Sequence, residues 1–355
     1  MIPQATPPQL DIAGRRIGPG EPPFVIAELS ANHLGDIDRA LRCIEVAANC
    51  GADAVKLQTY TADTLTLDSD KEVFRVKGGL WDGQTLYELY QSAYTPYDWH
   101  ERLFAAARDA GIIAFSSPFD QTAVDLLAGL DAPAYKIASF EIVDLPLIAS
   151  VARQGKPMII STGMANLAEI HQAVATARGN GALDLVLLHC TSGYPTPFSD
   201  ANLRTIPHLA QAFGVVAGLS DHTPGTASSV AAIALGACVI EKHFTLARAD
   251  GGPDAAFSLE PDELGRLVAD CRSAWEALGE VSYAIAGSER GNIAFRRSLF
   301  AVRPIAAGET FTAENVRSIR PGDGLPPKHL PTILGRRAVR ALERGEPLSW
   351  DAIES

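Results

Sequence analysis

Residues 158–178 read MIISTGMANLAEIHQAVATAR and contain one complete strand–helix unit. Met158 to Ser161 is a short aliphatic run, which is typical of a strand buried in a parallel sheet. Asn166 stands directly before Leu167 to Arg178, where it can cap the N-terminus of an amphipathic helix. The stretch therefore predicts a βα unit.

The same order, an aliphatic run followed by a longer amphipathic stretch, occurs eight times along the chain. Eight strands that are each followed by a helix favour an α/β fold of the (β/α)8 TIM-barrel type over an open doubly wound sheet. No GxGxxG sequence follows any of these strands, so a dinucleotide-binding fold is disfavoured. The predicted strands are Phe24 to Ala27, Ala54 to Gln58, Ile112 to Ser116, Ala134 to Ile137, Met158 to Ser161, Leu185 to His189, Val215 to Leu219 and Cys238 to Lys242.

Two regions depart from this repeat. Thr61 to Thr95 is too long for an ordinary connection, and because it follows a strand's C-terminal end, it could cover an active site. After Gly279 the pattern changes to short alternating runs and turn residues, and Arg296 to Arg303 alternates like a strand. We therefore divide the chain into an N-terminal extension (1–16), a barrel domain (17–280), a linker (281–291) and a small, largely β domain (292–355).

The composition indicates a folded chain with an acidic surface. The 355 residues are 47% hydrophobic and 20% charged, which excludes disordered, collagen-like and coiled-coil classes. Thirty Lys and Arg against 42 Asp and Glu give a formal charge of −12, which argues against nucleic-acid and acidic membrane partners. No signal sequence or membrane span is evident, and five scattered cysteines without a CxxC motif suit a reducing compartment. These features predict a cytoplasmic protein in which any anionic ligand is held by a locally cationic pocket.

The ends of the predicted strands, which meet around one pocket in such a barrel, are unusually polar. Lys56 and Lys136, with several hydroxyl groups between them, would make a cup suited to a phosphate or a carboxylate. His222 and His243 end neighbouring strands, where two neutral imidazoles could hold Mn²⁺ or another divalent ion as a Lewis acid. Other interpretations stay open, because a strand-end lysine can simply be salt-bridged, a histidine can be packed, and Glu28 can neutralise a lysine.

Nine short motifs carry a family resemblance. In chain order they are IAELSANH (26–33), AVKLQTY (54–60), SSPFD (116–120), YKIAS (135–139), ISTGM (160–164), CTSGYP (190–195), GLSDHT (218–223), IEKHFT (240–245) and GPD (252–254). Each motif alone is weak, but the ordered set is very specific. Over essentially its whole length the chain resembles the sialic acid synthase family. Within that family it is most similar to the branch that forms pseudaminic acid, through LWDG (80–83), LYELY (86–90), YTP (94–96) and PDAAFS (253–258).

The resemblance implies an enzyme that condenses phosphoenolpyruvate with the open-chain aldehyde of an acylated amino sugar, giving a nine-carbon 2-keto acid and phosphate. In the pseudaminic branch the sugar is 2,4-diacetamido-2,4,6-trideoxy-L-altrose. A divalent metal, Mn²⁺ or alternatively Mg²⁺ or Co²⁺, would polarise the aldehyde, and Glu28 would handle protons. By position in the family motifs, the phosphoenolpyruvate contacts are Lys56, Ser117, Lys136, Ser139, Ser161, Ser192 and Ser220, the sugar contacts are Tyr194 and Asp254, and the metal ligands are His222 and His243, with Gln58 as a further substrate-binding candidate.

The C-terminal residues resemble the antifreeze-like (SAF, β-clip) domain of these synthases. In the family this domain reaches over the partner's barrel in a domain-swapped homodimer, and Arg320 matches the arginine that it contributes to the sugar's N-acyl group. A dimer clamp without a role in the site is an alternative for this domain. One position departs from the family, since Ser192 stands where the sialic acid branch commonly has Asn.

Other functions stay open at this point. Within the family, the product could be N-acetylneuraminate or legionaminic acid. A phosphoenolpyruvate-dependent synthase that accepts a sugar phosphate is more distant, because it needs extra cationic groups and these motifs place no arginine at a strand end. A metal-dependent hydrolase on the same barrel commonly carries an HxH pair on its first strand, which here ends in Glu28. A non-catalytic carbohydrate-binding or antifreeze-type module is suggested only by residues 292–355.

Overall fold

The computed structural model describes residues 8–354 and divides the chain into two compact units, Met1–Gly279 and Glu280–Ser355. Residues 1–7 of the predicted N-terminal extension, and Ser355, lie outside the described residues. The described part of the extension enters an antiparallel hairpin of β1 (Leu10–Ile12) and β2 (Arg15–Ile17). Its apolar side chains pack among residues of the barrel interior, so the hairpin is part of the core of the first unit.

Eight parallel strands of the first unit form a closed barrel, which confirms the predicted TIM barrel. Each strand pairs with the next along the chain, and the last pairs with the first, with Lys242 opposite Ala27. Every strand overlaps a predicted one, and the ends differ by two residues at most. The strands are β3 (Phe24–Glu28), β4 (Ala54–Thr59), β5 (Ile113–Pro118), β6 (Tyr135–Ile137), β7 (Met158–Ser161), β8 (Leu185–Cys190), β9 (Val216–Ser220) and β10 (Val239–His243).

Helices follow the barrel strands, and the cap predicted at Asn166 is present. The side chain of Asn166 accepts hydrogen bonds from the N–H groups of Ala168 and Glu169, and Asp120 caps the next-but-one helix upstream through the Ala123 N–H. No helix among residues 8–354 is both long enough and apolar enough to cross a bilayer. The helices are α1 (Ile37–Asn49), α2 (Ala62–Leu65), α3 (Leu86–Ala93), α4 (His100–Asp109), α5 (Gln121–Gly129), α6 (Leu145–Ala152), α7 (Leu167–Gly179), α8 (Thr205–Phe213), α9 (Ala227–Ala234) and α10 (Pro261–Leu278).

The barrel has two apolar layers, and each strand contributes alternate residues to them. Outward-facing side chains such as Val25 and Val55 pack against the surrounding helices, while inward-facing ones such as Phe24 and Phe115 fill the barrel interior. Because both faces of the strands are buried, the strands are recognisable in the sequence as aliphatic runs.

The segment between β4 and α4 is partly helical. It contains α2, three short 3₁₀ turns (Glu72–Phe74, Gly79–Trp81 and Tyr97–Trp99) and α3. Thr85 and Glu88 form a capping box at the start of α3. Several of its side chains line the cavity at the barrel mouth, which agrees with the expectation that this segment covers the site.

The second unit is small and built on short β pairings. Strands β11 (Ser298–Ala301) and β12 (Val316–Ile319) are antiparallel, and α11 (Leu330–Ile333) follows them. The predicted strand within 296–303 is therefore present. A separate apolar core, which includes Leu299, Phe311 and Ile333, holds this unit together.

Candidate active site

A cavity of about 420 Å³ lies at the C-terminal ends of the barrel strands. Its floor continues the inward-facing rows of the barrel interior, because side chains alternate along a strand. The row of β3 runs from Phe24 and Ile26, both apolar and buried, to Glu28 in the cavity. The row of β10 runs from Val239 to Glu241 and His243 in the same way. Each inward-facing row is therefore apolar along the strand and polar at its C-terminal end, where the polar side chains surround the cavity.

Four charged side chains form the floor. Lys56 Nζ lies 2.9 Å from Glu28 Oε2 and 3.7 Å from Glu241 Oε2, and Lys136 Nζ lies 3.5 Å from Glu241 Oε1. All four are almost completely buried. Two carboxyl groups thus face the two lysines, so the floor is less cationic than the lysines alone predict. The reason is Glu241, which was not among the predicted site residues although it lies two positions before His243, on the same face of β10.

The surroundings of Glu28 and Glu241 shift the pKa values of these two floor carboxyl groups in opposite directions. Burial raises the pKa of Glu28, and the charge of Glu241 adds to this effect, against the opposing charge of Lys56. Burial also works against ionisation of Glu241, but Lys136 and Lys56, with a hydrogen bond from Ser220, lower its pKa. Glu241 is therefore the ionised partner of the lysines, whereas Glu28 is suited to exchange a proton.

Three of the predicted serines surround this cluster. Lys56 Nζ lies 3.3 Å from Ser117 Oγ, and Ser220 Oγ donates a hydrogen bond of 2.9 Å to Glu241 Oε1. Ser161 Oγ is buried, and it has no hydrogen-bond partner within residues 8–354. A buried hydroxyl that lines a cavity without an internal partner is suited to contact a polar ligand.

The other two predicted serines, Ser139 and Ser192, lie beside Gly163. Gly163 belongs to the loop after β7, whereas Ser139 follows β6 and Ser192 follows β8. Ser139 Oγ accepts a hydrogen bond of 3.1 Å from the Gly163 N–H, and Ser192 Oγ lies 3.8 Å from Cys190 Sγ. A Cβ at position 163 would collide with both hydroxyl groups, at 2.7 Å from Ser139 Oγ in one case. Glycine is therefore required here for the close approach of the loops after β6, β7 and β8.

The two predicted histidine ligands lie side by side, with ring centroids 5.3 Å apart. His222 Nδ1 lies 3.0 Å from the carbonyl oxygen of Thr191, which orients this ring. Burial, together with His222 and nearby lysines, lowers the pKa of His243 well below its usual value, so this imidazole is neutral. His243 Nδ1 is buried and has no hydrogen-bond partner in the described part of the chain. No group of three or more His, Cys, Asp and Glu side chains within residues 8–354 is arranged to hold a metal ion.

A chain of hydrogen bonds connects Glu28 to Asp254. Gln58 Nε2 donates to Glu28 Oε1 at 2.8 Å and to Ser30 Oγ at 2.9 Å, and the Ser30 hydroxyl donates to Asp254 Oδ2. Burial raises the pKa of Asp254 against the effect of its hydrogen bonds. Gln58 and Asp254, two predicted substrate-binding residues, are therefore brought to the same cavity as Glu28. Ser30, which connects them, was not predicted.

Tyr194 lies in an aromatic cluster above the histidines. Its ring centroid is 4.6 Å from that of His222, 5.0 Å from Phe257 and 5.8 Å from Trp81. Burial raises the pKa of Tyr194, so its hydroxyl group stays protonated. The predicted residue thus faces the cavity beside the proposed metal ligands.

Two more cavity residues were not predicted. Glu141 ends a 3₁₀ turn after β6, and burial raises its pKa to about 7. Its Oε2 atom is buried without a hydrogen-bond partner in the described chain. Cys190 lies at the end of β8; burial opposes its ionisation, but His222, Ser139 and Lys136 lower its pKa to about 7. The alternation along β8 could have indicated Cys190, whereas the sequence carries no signal for the inward orientation of Glu141 in a loop.

Two charged residues next to the histidines do not face the cavity, because side chains alternate along a strand. Asp221 and Lys242 stand next to the two histidines in the chain, but they point to the helices and form a buried ion pair of 2.8 Å. Asp221 also accepts hydrogen bonds from Thr223 and Ser229. Arg320, the last predicted site residue, lies exposed directly after β12 in the second unit.

The chain is similar to known proteins over most of its length. The chain is 47% identical over 92% of its length to the pseudaminic acid synthase of Campylobacter jejuni subsp. jejuni serotype O:23/36 (strain 81-176), of which 95% is covered. It is 44% identical over 94% of its length to the pseudaminic acid synthase of Helicobacter pylori (strain ATCC 700392 / 26695), with 98% of that protein covered. The crystal structure of the N-acetylneuraminic acid synthetase from Leptospira borgpetersenii serovar Hardjo-bovis, in complex with citrate, superimposes with a TM-score of 0.72 at 32% identity, covering 80% of this chain and 95% of that one.

The family matches follow the two units. Residues 296–354 match the SAF domain, which confirms the antifreeze-like domain. Residues 43–283 match the NeuB family, and the resemblance to sialic acid synthases is likewise confirmed. The chain thus belongs to the NeuB family and combines its TIM-barrel synthase domain with a C-terminal SAF domain.

Proposed function

We propose that this chain condenses phosphoenolpyruvate with 2,4-diacetamido-2,4,6-trideoxy-L-altrose and water to give pseudaminic acid and phosphate. The similarity to two pseudaminic acid synthases, at 44% and 47% identity over most of both chains, supports the choice of reaction. The observation that carries the proposal is the buried floor, where Lys56 lies 2.9 Å from Glu28, a carboxyl group with a raised pKa, and Lys136 lies 3.5 Å from Glu241. Such a floor can hold an anion and move a proton in the same cavity.

Lys56 and Lys136 are the proposed partners of the phosphate and carboxylate groups of phosphoenolpyruvate. The Ser161 hydroxyl, which has no hydrogen-bond partner within residues 8–354, and the Ser139 hydroxyl beside Gly163 would supply further hydrogen bonds that a buried anion requires. Both lysines already face carboxylates, so an entering anion competes with Glu28 and Glu241 for them. The raised pKa of Glu28 reduces this competition, because a protonated Glu28 no longer competes as an anion for Lys56.

In the proposed reaction, C3 of phosphoenolpyruvate bonds to the aldehyde carbon, and the aldehyde oxygen becomes a hydroxyl group. Water adds at C2, and the C2–O bond to phosphate then breaks. Glu28 is the group that would exchange protons with the water or with the new hydroxyl group. Its carboxyl group is held in place by the 2.8 Å hydrogen bond from Gln58 and by Lys56. Tyr194 and Asp254 are the proposed contacts to the sugar.

The residues present fit a divalent metal, for which we propose Mn²⁺ with Mg²⁺ or Co²⁺ as alternatives. His243 is a neutral imidazole whose buried Nδ1 atom has no partner among residues 8–354, and His222 lies next to it. The Thr191 carbonyl accepts the proton on His222 Nδ1, which leaves Nε2 of that ring as the ligand atom. A divalent ion bound to these histidines would act as a Lewis acid on the aldehyde carbonyl.

A homodimer is proposed for the active form. Large apolar side chains are exposed on three successive loops at the barrel mouth, and the second unit exposes Val281, Tyr283 and Ile285 in alternation. Coverage of both surfaces by a second copy of the chain agrees with the domain-swapped dimer that the family resemblance implies. The residues of the barrel mouth are Phe140, Val143, Met164, Leu167 and Phe198.

The compartment is a further part of the proposal. We place the reaction in the cytoplasm, because all five cysteines are free thiols, which suits a reducing environment.

The test is release of phosphate from phosphoenolpyruvate in the presence of Mn²⁺ and a panel of sugars. Turnover is expected with the 2,4-diacetamido sugar, and little with N-acetylmannosamine or arabinose 5-phosphate. If no acylamino sugar supports release, the proposed reaction is wrong, whereas a preference for N-acetylmannosamine would overturn only the choice of sugar. His222→Ala should abolish turnover with the fold intact by circular dichroism. Wild-type rates in this variant, or in chelator-treated enzyme, would remove the metal from the mechanism.

The alternatives within the family are N-acetylneuraminate and legionaminic acid synthesis, which would use the same floor with another sugar. A sugar-phosphate substrate is disfavoured by the lining, in which residues 8–354 place no arginine. A second phosphate group would therefore lack a guanidinium partner in the barrel cavity.

A further inference from the structure

One side of the cavity differs sharply from the charged floor. It is formed by the segment between β4 and α4, which covers the barrel mouth. We call it the apolar wall; its residues are Leu65, Val76, Trp81, Leu86, Leu89 and Ala93. Among them, Leu65 ends α2, and Leu86, Leu89 and Ala93 belong to α3. The wall thus consists of carbon groups on a segment that is not part of the barrel.

The apolar wall offers few hydrogen-bonding groups to a ligand. The indole N–H of Trp81 is already used, because it donates to the Pro253 carbonyl oxygen at 3.1 Å. Within the described residues 61–95, Tyr90 contributes the one side-chain hydroxyl group of the cavity lining. A ligand hydroxyl group that points at Leu65, Val76 or Leu86 would lose its water without gaining a partner.

The location of the apolar wall indicates that it contacts the sugar rather than phosphoenolpyruvate. Trp81 contacts both Tyr194 and Pro253, and Asp254 follows directly. Tyr194 and Asp254 are the proposed sugar contacts, whereas Lys56 and Lys136 lie on the floor, at the ends of barrel strands. The part of the sugar that extends away from the reacting aldehyde therefore meets the wall.

We infer that the apolar wall is the subsite that determines sugar specificity, by receiving the C6 methyl group and an acetyl methyl group of a 6-deoxy diacetamido sugar. The inference rests on the proposed function and adds the residues that select the 6-deoxy diacetamido sugar over N-acetylmannosamine. N-acetylmannosamine carries hydroxyl groups at C4 and C6, where the diacetamido sugar has an acetamido group and a methyl group. The methyl groups of the diacetamido sugar can pack against the wall, whereas hydroxyl groups of N-acetylmannosamine would lie against it without a hydrogen-bond partner.

Val76→Thr tests the wall with almost no change in shape, since it replaces one methyl group by a hydroxyl group. Leu65→Asn makes a similar polar change at a second position. Val73→Thr is the matched control, because Val73 lies in the same segment but is 77% exposed and does not line the cavity. For each protein, kcat and KM would be measured by phosphate release with the diacetamido sugar, N-acetylmannosamine and phosphoenolpyruvate.

The two wall variants should raise the KM of the diacetamido sugar at least fivefold and reduce its kcat/KM advantage over N-acetylmannosamine at least tenfold. The KM of phosphoenolpyruvate should stay within twofold, and Val73→Thr should match the wild type. A sugar preference that is unchanged within twofold in both wall variants would overturn the inference. So would an equal rise in the KM of phosphoenolpyruvate, because the effect would then not be specific to the sugar.

Failure of the proposed function gives a different result. In that case the wild-type protein releases no phosphate with any acylamino sugar. Binding of the two sugars to the wild type, Val76→Thr and Val73→Thr can still be compared by calorimetry. A loss of preference in Val76→Thr alone would support the wall even then, and equal preferences in all three proteins would overturn it.

Discussion

At the scale of single residues, the site contains two glutamate side chains whose surroundings give them different pKa values. Glu28 and Glu241 lie on neighbouring strands and share Lys56, yet their pKa values move in opposite directions. Glu241 also faces Lys136 and accepts a hydrogen bond from Ser220, so its ionised form is favoured. Glu28 lacks these two contacts, and burial then dominates. One carboxyl group can thus hold the lysines in place while the other takes part in proton transfer.

Glu28→Gln should therefore reduce kcat by roughly 10² to 10⁴-fold and leave the KM of phosphoenolpyruvate nearly unchanged. Glutamine keeps the size of the side chain and its contact with Gln58, but it cannot accept a proton. Steady-state phosphate release would measure both constants. Glu45→Gln, on the exposed side of α1, is the matched control and should be indistinguishable from the wild type. A kcat within threefold of the wild type in Glu28→Gln would show that another group transfers the proton.

Glu141 makes a prediction about stability and pH. Because burial raises its pKa to about 7, the folded protein binds a proton here that the unfolded chain has lost above its ordinary pKa of 4.5. Its contribution to stability is complete below pH 4.5 and is lost as the pH rises to about 7. Glu141→Gln should thus be as stable as the wild type near pH 4.5 and more stable at pH 8, by at most roughly 3 kcal/mol.

Thermal unfolding of both proteins at pH 4.5, 6 and 8 would measure this difference. The gain in Tm should grow with pH in Glu141→Gln. A gain of the same size at all three pH values would mean that the carboxyl group does not titrate in this range.

At the scale of secondary-structure elements, the ends of β9 and β10 carry the two histidines on one face and an ion pair on the other. Asp221 and Lys242, each about 1% exposed, join the two strand ends 2.8 Å apart. Lys242 Nζ also donates to the Thr223 carbonyl oxygen, and Asp221 accepts from Ser229 on α9. The pair therefore fixes both strand ends against one helix, directly behind His222 and His243.

Removal of one partner of this pair should cost about 3 to 5 kcal/mol in unfolding free energy, because the other charge stays buried without compensation. Asp221→Asn and Lys242→Met are the single variants. The double variant should lose less than their sum by roughly 1 to 3 kcal/mol, measured by urea unfolding. Lys156→Met breaks an ion pair of 2.7 Å with Asp131 at the surface and is the matched control, which should unfold at nearly the same urea concentration as the wild type. Additive losses in the double variant would show that Asp221 and Lys242 act independently.

At the scale of the whole molecule, the chain consists of two units with separate cores. The barrel unit holds the charged floor, the histidine pair and the apolar wall. The SAF unit holds Arg320, which is exposed at the end of β12. If Arg320 acts in the partner's site, as the family resemblance implies, each active site needs residues from two chains.

Subunit mixing tests this arrangement. Glu28→Gln and Arg320→Ala, each of low activity alone, should complement each other when they are unfolded and refolded together or co-expressed. In a mixed dimer with exchanged SAF domains, one site carries both changes and the other carries neither, so about a quarter of the wild-type activity should return. No recovery, although mixed dimers form, would place Arg320 in the site of its own chain.

The sequence by itself determined the barrel and the identity of most of the polar residues that line the cavity. Aliphatic runs of four or five residues, each followed by an amphipathic stretch, predict eight strands because strands buried on both faces must be apolar. The period of two along a strand then decides which polar residues enter the cavity, as with Glu28 and His243. These patterns are local, so they can be recognised without knowledge of the fold.

Only the tertiary structure decided how the charges pair and what covers the site. Barrel closure brings Glu241 of β10 to Lys136 of β6, and this contact offsets part of the positive charge that the lysines alone suggested. The apolar wall depends on the path of residues 61–95 over the barrel mouth, and the inward turn of Glu141 depends on a loop. The physical reason is that pKa values and ligand contacts depend on distances between side chains that are far apart in the chain. Such distances are set only when the strands close and the loops pack.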